Sequence, residues 1–178
     1  DSPTFQFRKL NPNSEESEIS RIINLNGYTY DRISSNNLLS TTVSEDRLNI
    51  GSASYQALLI NDLKHSSPNI IKKVLELAEA GILVIYVGNL PSRSTGLNDF
   101  PRKDNEIKKY SKKLLPMINL METPNGLIDS LEKADIHPLI SILNKREDYF
   151  RSSVRSCGVY KVIYMFNDSA STSKKDFF

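Results

Sequence analysis

Residues 48–91, LNIGSASYQALLINDLKHSSPNIIKKVLELAEAGILVIYVGNLP, contain the pattern that decides the fold of this chain. Two continuous apolar runs, at 57–60 and 82–87, are typical of strands that are covered on both faces. The segment between them begins after the helix cap Ser67 and ends at Gly81. Short joints on both sides predict two parallel strands connected by a right-handed helical crossover.

The expected crossover helix, 68–80, has one apolar side and one charged side. Its apolar side contains Ile70, Ile71, Val74, Leu75, Leu77 and Ala78. Its charged side contains Lys72, Lys73, Glu76 and Glu79. The other expected elements are a helix from Ser14 to Gly27, a ribbon around Leu48 and Ile50 that turns at Gly51, helices at 105–118 and 127–134, and strands at 28–33, 139–143 and 159–166. The chain is therefore predicted to be an α/β protein with a parallel sheet flanked by helices.

The composition restricts the classes of function. A length of 178 residues suggests one domain, with the start of a second, that buries roughly 70% of its unfolded surface. The formal net charge of +2 argues against a dedicated nucleic-acid binder, which usually has a strongly basic face. No apolar run reaches the roughly 18 residues that would cross a bilayer, so no membrane partner is expected. The single cysteine, Cys157, excludes an internal disulfide.

Three segments are expected along the chain. Residues 1–13 are polar and contain prolines, which predicts a linker. Residues 14–145 are predicted to form the α/β domain, and 146–178 a C-terminal strand region that leads into a further domain. The first residue is not methionine, and the last two residues are phenylalanines with no obvious cover. Both ends are therefore read as cuts through a longer protein.

The histidines and the lone carboxylates have ordinary explanations. His65 and His137 have no ligand-type residues at metal-binding spacing, so no zinc site is expected. Asp62 and Asp135 are single loop carboxylates, which are more often caps than catalysts. A lysine cluster on the 105–118 helix is read as a solvated face in preference to a phosphate-binding patch. Its members are Lys108, Lys109, Lys112 and Lys113.

Two patterns of known chemistry are incomplete. Class I glutamine amidotransferases share this α/β layout, but their cysteine lies in a G-x-C-x-G turn between a strand and a helix. Cys157 instead precedes a strand, which argues against a nucleophile. The loop 88–91 follows a strand at the edge where open α/β sheets bind ligands, but it has no glycine-rich phosphate cradle. A neighbouring domain is the favoured contact of this loop, and no cofactor is expected.

A longer pattern resembles a known family. It consists of Gly27-Tyr28-x-Tyr30-Asp31-x-Ile33-x-x-Asn36-x-Leu38-Leu39, Leu48-x-Ile50-Gly51, Tyr55-x-Ala57-Leu58-Leu59-Ile60, Gly81 and Gly88-x-x-Pro91. The pattern resembles a recurrent stretch of glycoside hydrolase family 106, the α-L-rhamnosidases, and of related glycosidases. Near the end, Arg146 and the segment 163–167 are similar to the family's His-Arg … Tyr-Phe-x-Asn signature. Lys145 departs from it, since the family tends to have histidine there, and 147–158 is longer than usual.

The resemblance, strongest over 27–91, implies a fold and a context. The implied fold is a flavodoxin-like, class I amidotransferase-like accessory domain, in which the C-terminal strand starts a β-sandwich. In the family, the catalytic carboxylates lie upstream in a (β/α)8 barrel, so no catalytic residue has a counterpart in this chain. The implied location is periplasmic or extracellular.

The expected function is that of a non-catalytic accessory domain in a multidomain glycoside hydrolase, in contact with other domains of the same polypeptide. The long loop 89–103 is expected to reach a neighbouring domain or a carbohydrate. Its Arg93 and Arg102 are the candidate donors to sugar hydroxyls or to an acidic sugar. The alternatives are a carbohydrate-binding or protein-interaction module that acts alone, and an amidotransferase-like enzyme.

The last expected strand, 159–166, has apolar side chains on both faces. Such a strand needs a cover on each side, and an uncovered edge can pair with another chain. The sequence therefore predicts self-association through the C-terminal strand.

Overall fold

The structure is a computed structural model that describes residues 18–96, 98–138, 140, 150–157 and 159–167. The chain divides into two compact units, of which the first contains Ile33–Ser130. Among the described residues, the second unit consists of 18–32 and of those from Leu131 onward. Predictions for the linker 1–13 and for Ser14, and all but Ile140 of the expected strand at 139–143, lie outside the described residues.

The described part of the chain contains both helices and strands. The helices are α1 (Glu18–Leu25), α2 (Ser35–Leu39), α3 (Pro68–Glu79), α4 (Phe100–Leu114) and α5 (Leu127–Lys133), with 3₁₀ turns at Leu115–Met117 and Pro124–Gly126. The strands are β1 (Thr42–Ser44), β2 (Arg47–Ile50), β3 (Ala53–Tyr55), β4 (Ala57–Asn61), β5 (His65–Ser66), β6 (Leu83–Val87), β7 (Arg93–Ser94), β8 (Asn119–Met121), β9 (Phe150–Cys157) and β10 (Tyr160–Asn167).

The first unit contains a three-stranded parallel sheet with the order β4-β6-β8. Ala57 pairs with Leu83, and Asn61 pairs with Val87, so β4 and β6 run in parallel over their whole length. β8 extends the sheet on the other side of β6. The predicted strand–helix–strand unit is confirmed, and the mixed α/β content is compatible with a Rossmann- or flavodoxin-like core.

Helix α3 begins and ends where the sequence predicts. The Ser67 hydroxyl accepts a hydrogen bond from the Ile70 N–H at 3.4 Å. At the other end, Gly81 has a φ of 86°, and the Ile82 N–H donates to the Leu77 carbonyl at 3.1 Å. These bonds form a Schellman motif, in which glycine adopts a left-handed conformation at no steric cost. The chain therefore turns from α3 directly into β6.

The main core of this unit joins α3 and α4 to the sheet. Val74 of α3, Val84 of β6 and Leu114 of α4 are completely buried within it. The other buried members are Leu38, Leu48, Leu58, Ile70, Leu75, Leu77 and Ile82. The helices thus supply the apolar cover that the continuous strand run of β6 requires.

The predicted ribbon around Leu48 is confirmed as part of an antiparallel sheet, β1-β2-β3. Leu48 lies opposite Tyr55, and Gly51 takes a φ of 59° in the turn between β2 and β3. Leu48 is buried and belongs to the main core. The alternation of apolar and polar residues in the sequence therefore marks a sheet with one face on the core.

Helix α4 begins earlier than predicted. The sequence predicted a helix at 105–118, whereas the structure has Phe100–Leu114, followed by a 3₁₀ turn. Asp99 has a φ of 55° and turns the chain just before the helix. Pro101 suits the first helical turn, where its missing N–H has no partner to lose. The polar first turns have no apolar periodicity, so the sequence pattern becomes visible only near Ile107.

In the second unit, the predicted helix end at Gly27 is confirmed. The Tyr28 N–H donates to the Ile23 carbonyl at 3.1 Å, and Gly27 has a φ of 77°. A Cβ atom at Gly27 would also collide with the carbonyl oxygen of Ile140. Both the backbone angle and the close approach of another segment therefore require glycine at this position.

The predicted strand at 28–33 is wrong, because this segment has no regular secondary structure. Its polar groups bind residues elsewhere in the second unit. The Tyr28 hydroxyl donates to the Ile136 carbonyl at 3.0 Å, and Arg32 Nη2 donates to Ser20 Oγ at 3.3 Å. These contacts take the place of the hydrogen bonds of a strand ladder.

The second unit also contains an antiparallel hairpin of β9 and β10. Cys157 pairs with Tyr160, and Phe150 pairs with Asn167. The predicted final strand is confirmed as β10, whereas β9 was not predicted. The β9 sequence, FRSSVRSC, has no apolar alternation that would indicate a strand.

Candidate functional site at the carboxyl edge of the parallel sheet

The carboxyl edge of the parallel sheet is the candidate functional site, because open α/β sheets bind ligands at this edge. The loops that follow β4, β6 and β8 meet there. The Asp62 N–H donates to the Val87 carbonyl at 2.8 Å, and the Gly88 N–H donates to the Met121 carbonyl at 2.9 Å. These two bonds tie the loop after β4 to the end of β6, and the loop after β6 to the end of β8.

Asp62 and Gly88 approach each other closely at this edge. Asp62 has a φ of 44°, a left-handed conformation that aspartate tolerates better than most residues. A Cβ atom at Gly88 would lie 3.1 Å from Asp62 Oδ1 and 3.3 Å from Asp62 Cα. The Asp62 carboxylate is half exposed and lies 3.3 Å from the Lys64 ammonium. Asp62 therefore has the position of a turn residue with a surface ion pair.

Tyr86 is the buried titratable group closest to this edge. Its hydroxyl donates to the Leu63 carbonyl at 2.8 Å, and its side chain is completely buried. Burial raises the pKa of Tyr86 well above its ordinary value, and the negative charge of Asp62 raises it further. Tyr86 therefore remains a neutral hydrogen-bond donor that ties the loop after β4 to β6.

The loop that the sequence placed at 89–103 is shorter than predicted and is fastened to α4. The Ser111 hydroxyl donates to the Pro91 carbonyl at 2.8 Å, and Asp104 Oδ1 accepts a hydrogen bond from the Ser94 N–H at 2.6 Å. This backbone hydrogen bond, together with the charges of Lys108 and Arg93, lowers the pKa of Asp104. Two polar residues of α4 thus hold the segment after β6 against the helix.

The two arginines predicted as sugar donors lie in regular elements and not in a loop. Arg93 lies in β7, which pairs in parallel with β5, and Arg102 lies in the first turns of α4. Arg102 forms ion pairs with Asp99 and with Glu106. Arg93 is exposed and forms no ion pair within the ranges that the structure describes. Arg93 is therefore the better placed of the two to bind an external group.

The histidines and the cysteine lie in a short strand, in a loop or at a strand end. His65 pairs with Arg93 in the β5–β7 ribbon, and His137 Nε2 lies 3.0 Å from Asp135 Oδ1 on the surface. Cys157 lies at the end of β9, one turn before an antiparallel strand. No group of three or more histidine, cysteine, aspartate or glutamate side chains that could hold a metal ion occurs among the described residues. Likewise, no helix in this part of the chain is both long and apolar enough to cross a membrane.

A second polar and aromatic surface, on the β9–β10 hairpin, was not identified as a site in the sequence. Tyr160 and Tyr164 are both exposed, and their spacing of four residues places them on one face of β10. Arg155 of β9 lies opposite Val162, on the same face and between the two tyrosines. Arg155 Nη2 donates to Asp31 Oδ1 at 2.6 Å. The only signal in the sequence was the alternation of aromatic residues in β10.

Comparison of the chain with protein-family models, with curated proteins and with solved structures found no match.

Proposed function

We propose that this chain is a non-catalytic α/β accessory domain of a multidomain glycoside hydrolase of the α-L-rhamnosidase type. In this proposal the fold is flavodoxin-like and related to class I amidotransferases, and the hairpin of β9 and β10 starts a β-sandwich. Its partners are other domains of the same polypeptide. Its task is to support the catalytic barrel or to shape one side of the substrate cleft.

The observation that carries this proposal is the position of the residues that resemble the glycosidase family. Gly27, Gly51, Gly81 and Gly88 all have positive φ angles, which glycine adopts far more readily than other residues. Apolar residues of the same pattern, including Tyr28, Leu48 and Leu58, are buried. The shared residues therefore specify turns and core positions, as expected for a common fold and not for a common catalytic site.

The segment 88–94, which Ser111 and Asp104 fasten to α4, supports a structural role for the carboxyl edge. Its backbone bonds to α4 through Ser111 and Asp104 occupy groups that a ligand-binding loop would present to a ligand. Such a segment offers a preformed surface to a neighbouring domain, because little conformational entropy remains to be lost on docking.

The direct test is to compare the isolated chain with the complete polypeptide that contains it. We expect the isolated chain to show no turnover of aryl α-L-rhamnosides or of glutamine, and the complete polypeptide to hydrolyse the rhamnoside. Deletion of residues 33–130 from the complete polypeptide should reduce its stability or its activity. Turnover by the isolated chain that is abolished by Cys157→Ala or by Asp62→Asn would contradict the accessory role.

The two arginines allow a matched test of contact with the substrate. We expect Arg93→Ala to raise the KM of the complete enzyme for a polymeric substrate, because its guanidinium group is available to sugar hydroxyls. Arg102→Ala is the matched control, because Asp99 and Glu106 already occupy that guanidinium group. Equal KM values for Arg93→Ala and the unsubstituted enzyme would show that the segment 88–94 does not contact the substrate.

The exposed face of the hairpin favours one second candidate function, a carbohydrate-binding module. Tyr160 and Tyr164 lie about 13 Å apart along the strand, since each residue rises about 3.3 Å. Exposed aromatic rings stack on the apolar faces of sugars, and Arg155 and Asp31 add polar groups between them. This arrangement suits an extended oligosaccharide that crosses both rings.

Calorimetric titration with rhamnose- and galacturonate-containing oligosaccharides tests this candidate. Binding that is lost in Tyr160→Ala but retained in Phe100→Ala, which removes an exposed aromatic ring from the first unit, would support it. Absence of binding to all the oligosaccharides, or equal binding by both variants, would exclude the hairpin as a sugar platform.

A further inference from the structure

We propose that β10 is a dimerisation edge, which pairs in antiparallel fashion with β10 of a second copy of this chain. The result would be a four-stranded sheet with the order β9-β10-β10-β9, with a twofold axis between the two central strands. This inference uses only the hairpin and its exposed residues, and it is an alternative to the β-sandwich of the proposed function, which would cover the same strand.

The first argument is the unpaired edge of β10. β9 occupies one edge of β10, and no other described strand pairs with the second edge. β10 is eight residues long, and its six residues 160–165 are all exposed. The large apolar residues among these are Tyr160, Val162, Ile163, Tyr164 and Met165. A long, apolar and exposed edge strand is a template for pairing with another chain, because its N–H and C=O groups on that side have no strand partner.

The second argument is that the exposure extends to both faces of β10. Tyr160, Val162 and Tyr164 belong to one face, and Ile163 and Met165 belong to the other. A ligand or protein that covers one face alone would leave the other apolar face in water. A strand that adds to the edge contributes side chains to both faces at once, which favours pairing at the edge over stacking on one face.

The charge pattern favours a second copy as the added strand. Lys161 is the single charged residue of β10. In a twofold antiparallel pair, opposite residues share a face, so a register centred on Ile163 places Ile163 opposite its own copy. The same register places Val162 opposite Tyr164 and Lys161 opposite Met165. The two lysines then lie near opposite ends of the pair, and no like charges face each other.

The size of the edge sets the expected affinity. A standard protein interface buries about 800 Å² on each partner. One eight-residue edge offers less than this area, so we expect a dimer that dissociates in the micromolar range. In a twofold interface the same edge of each copy faces the other, so the pairing of β10 with β10 closes at two copies.

Sedimentation of the full 178-residue chain over a concentration series tests the proposal. We expect the weight-average mass to rise from that of one chain to that of two, and to go no further. Ile163→Lys should remain monomeric, because it places two lysines opposite each other at the centre of the pair. The matched control is Leu39→Lys, which changes an exposed apolar residue of the first unit and should dimerise like the unsubstituted chain.

Disulfide formation reports the register of the β10–β10 pair, and circular dichroism checks that the lysine variant is folded. Ile163→Cys in a Cys157→Ser background should give a disulfide-linked dimer under mild oxidation, whereas Leu39→Cys in the same background should not. Ile163→Lys must also keep the circular dichroism spectrum of the unsubstituted chain. A strictly monomeric unsubstituted chain, association of folded Ile163→Lys equal to that of the control, or species larger than a dimer would each overturn the proposal.

Discussion

The tripeptide Val-Ile-Tyr occurs twice in this chain, in β6 and in β10, and its two copies lie in opposite environments. In β6, Val84, Ile85 and Tyr86 are 0%, 1% and 0% exposed. In β10, Val162, Ile163 and Tyr164 are 37%, 52% and 57% exposed. Both copies form strands, so the local sequence determines the conformation. It does not determine burial, because one copy is fully buried and the other is exposed.

The difference comes from the elements that surround each strand. β6 is central in its sheet, with β4 on one side and β8 on the other, and Val84 packs in the core that α3 and α4 share. β10 has one described strand neighbour, β9, and β9 places the buried Val154 opposite Ile163 while Ile163 itself remains exposed. In this chain, an apolar strand therefore lies either in a core or on a surface where a partner can bind.

The largest expected effect in this comparison is that of truncating the central isoleucine of each copy. Ile85→Ala should lower the free energy of unfolding by about 2–5 kcal/mol, because it leaves a cavity in a closely packed core. Ile163→Ala should change it by no more than about 0.5 kcal/mol in the monomer, because the side chain is already in contact with water. Urea unfolding at a concentration below that of self-association measures both. Similar losses for the two variants would show that β10 is covered in solution.

The next effect concerns the two glycines that bracket the buried copy. Both have left-handed φ angles, 86° at Gly81 and 93° at Gly88, so alanine should cost about 1–2 kcal/mol at either position. Gly88→Ala should cost more than Gly81→Ala, because its Cβ would press on the Asp62 backbone, whereas no atom outside the neighbouring residues lies within 4 Å at Gly81. Thermal unfolding of the two variants shows which substitution destabilises the fold more. If Gly81→Ala costs more stability than Gly88→Ala, the loop at Asp62 moves easily to accommodate the added Cβ atom.

An effect of similar size is expected from the hydroxyl group of one of the two tyrosines. Tyr86→Phe should cost about 1–3 kcal/mol, because it leaves the Leu63 carbonyl without its donor in a buried position. Tyr164→Phe should fall within about 0.5 kcal/mol of the unsubstituted chain, because that hydroxyl is on an exposed residue.

Tyr86 also makes the stability of the fold sensitive to alkali. The pKa of Tyr86 is raised in the folded state, so the unfolded chain loses its proton first, near its ordinary pKa of about 10. The stabilising contribution of neutral Tyr86 is therefore complete below about pH 10 and is lost as the pH rises further. Unfolding measured at pH 8 and above pH 10 should show a smaller alkaline loss in Tyr86→Phe than in Tyr164→Phe. Equal losses would mean that Tyr86 is accessible to water.

The smallest effect concerns the segment that follows the buried copy. The hydrogen bond from the Ser94 N–H lowers the pKa of Asp104 in the folded state, and Lys108 and Arg93 lower it further. The contribution of ionised Asp104 is therefore present above about pH 4 and is lost as the pH falls through the lowered folded value. Asp104→Asn should weaken this acid dependence and speed hydrogen exchange at the Ser94 amide. A titration of the Asp104 carboxyl by NMR that gives an ordinary or raised pKa would contradict the fastening of this segment.

Where the sequence predicts the structure well, the signals are short-range. The cap at Ser67, the helix end at Gly81 and the parallel pairing of β4 with β6 all depend on residues inside one 44-residue stretch, 48–91. Where it fails, the cause is a contact with a distant residue. The tyrosine-rich segment 28–33 resembles a strand, but the Tyr28 hydroxyl binds the carbonyl of Ile136, 108 positions away.

At the candidate site, too, the sequence misses what contacts between separate segments decide. The sequence placed Arg93 and Arg102 in one open loop, because it showed only prolines, glycines and polar residues there. In the structure, Ser111 and Asp104 fasten that segment to α4, and Arg102 is held by Asp99 and Glu106. Only the three-dimensional arrangement shows that Arg102 has ion-pair partners and that Arg93 is the better placed to bind an external group. The polar partners of Arg102 form no periodic pattern that could be recognised in the sequence.

The sequence alone thus determined that both Val-Ile-Tyr segments form strands, where the central helix begins and ends, and that β4 and β6 run in parallel. These properties depend on backbone preferences and on apolar periodicity, which act over a few residues. The tertiary structure alone decided which of the two Val-Ile-Tyr strands is a core strand and which is a surface. Burial is a property of two surfaces that meet, and the second surface is supplied by residues far away in the chain.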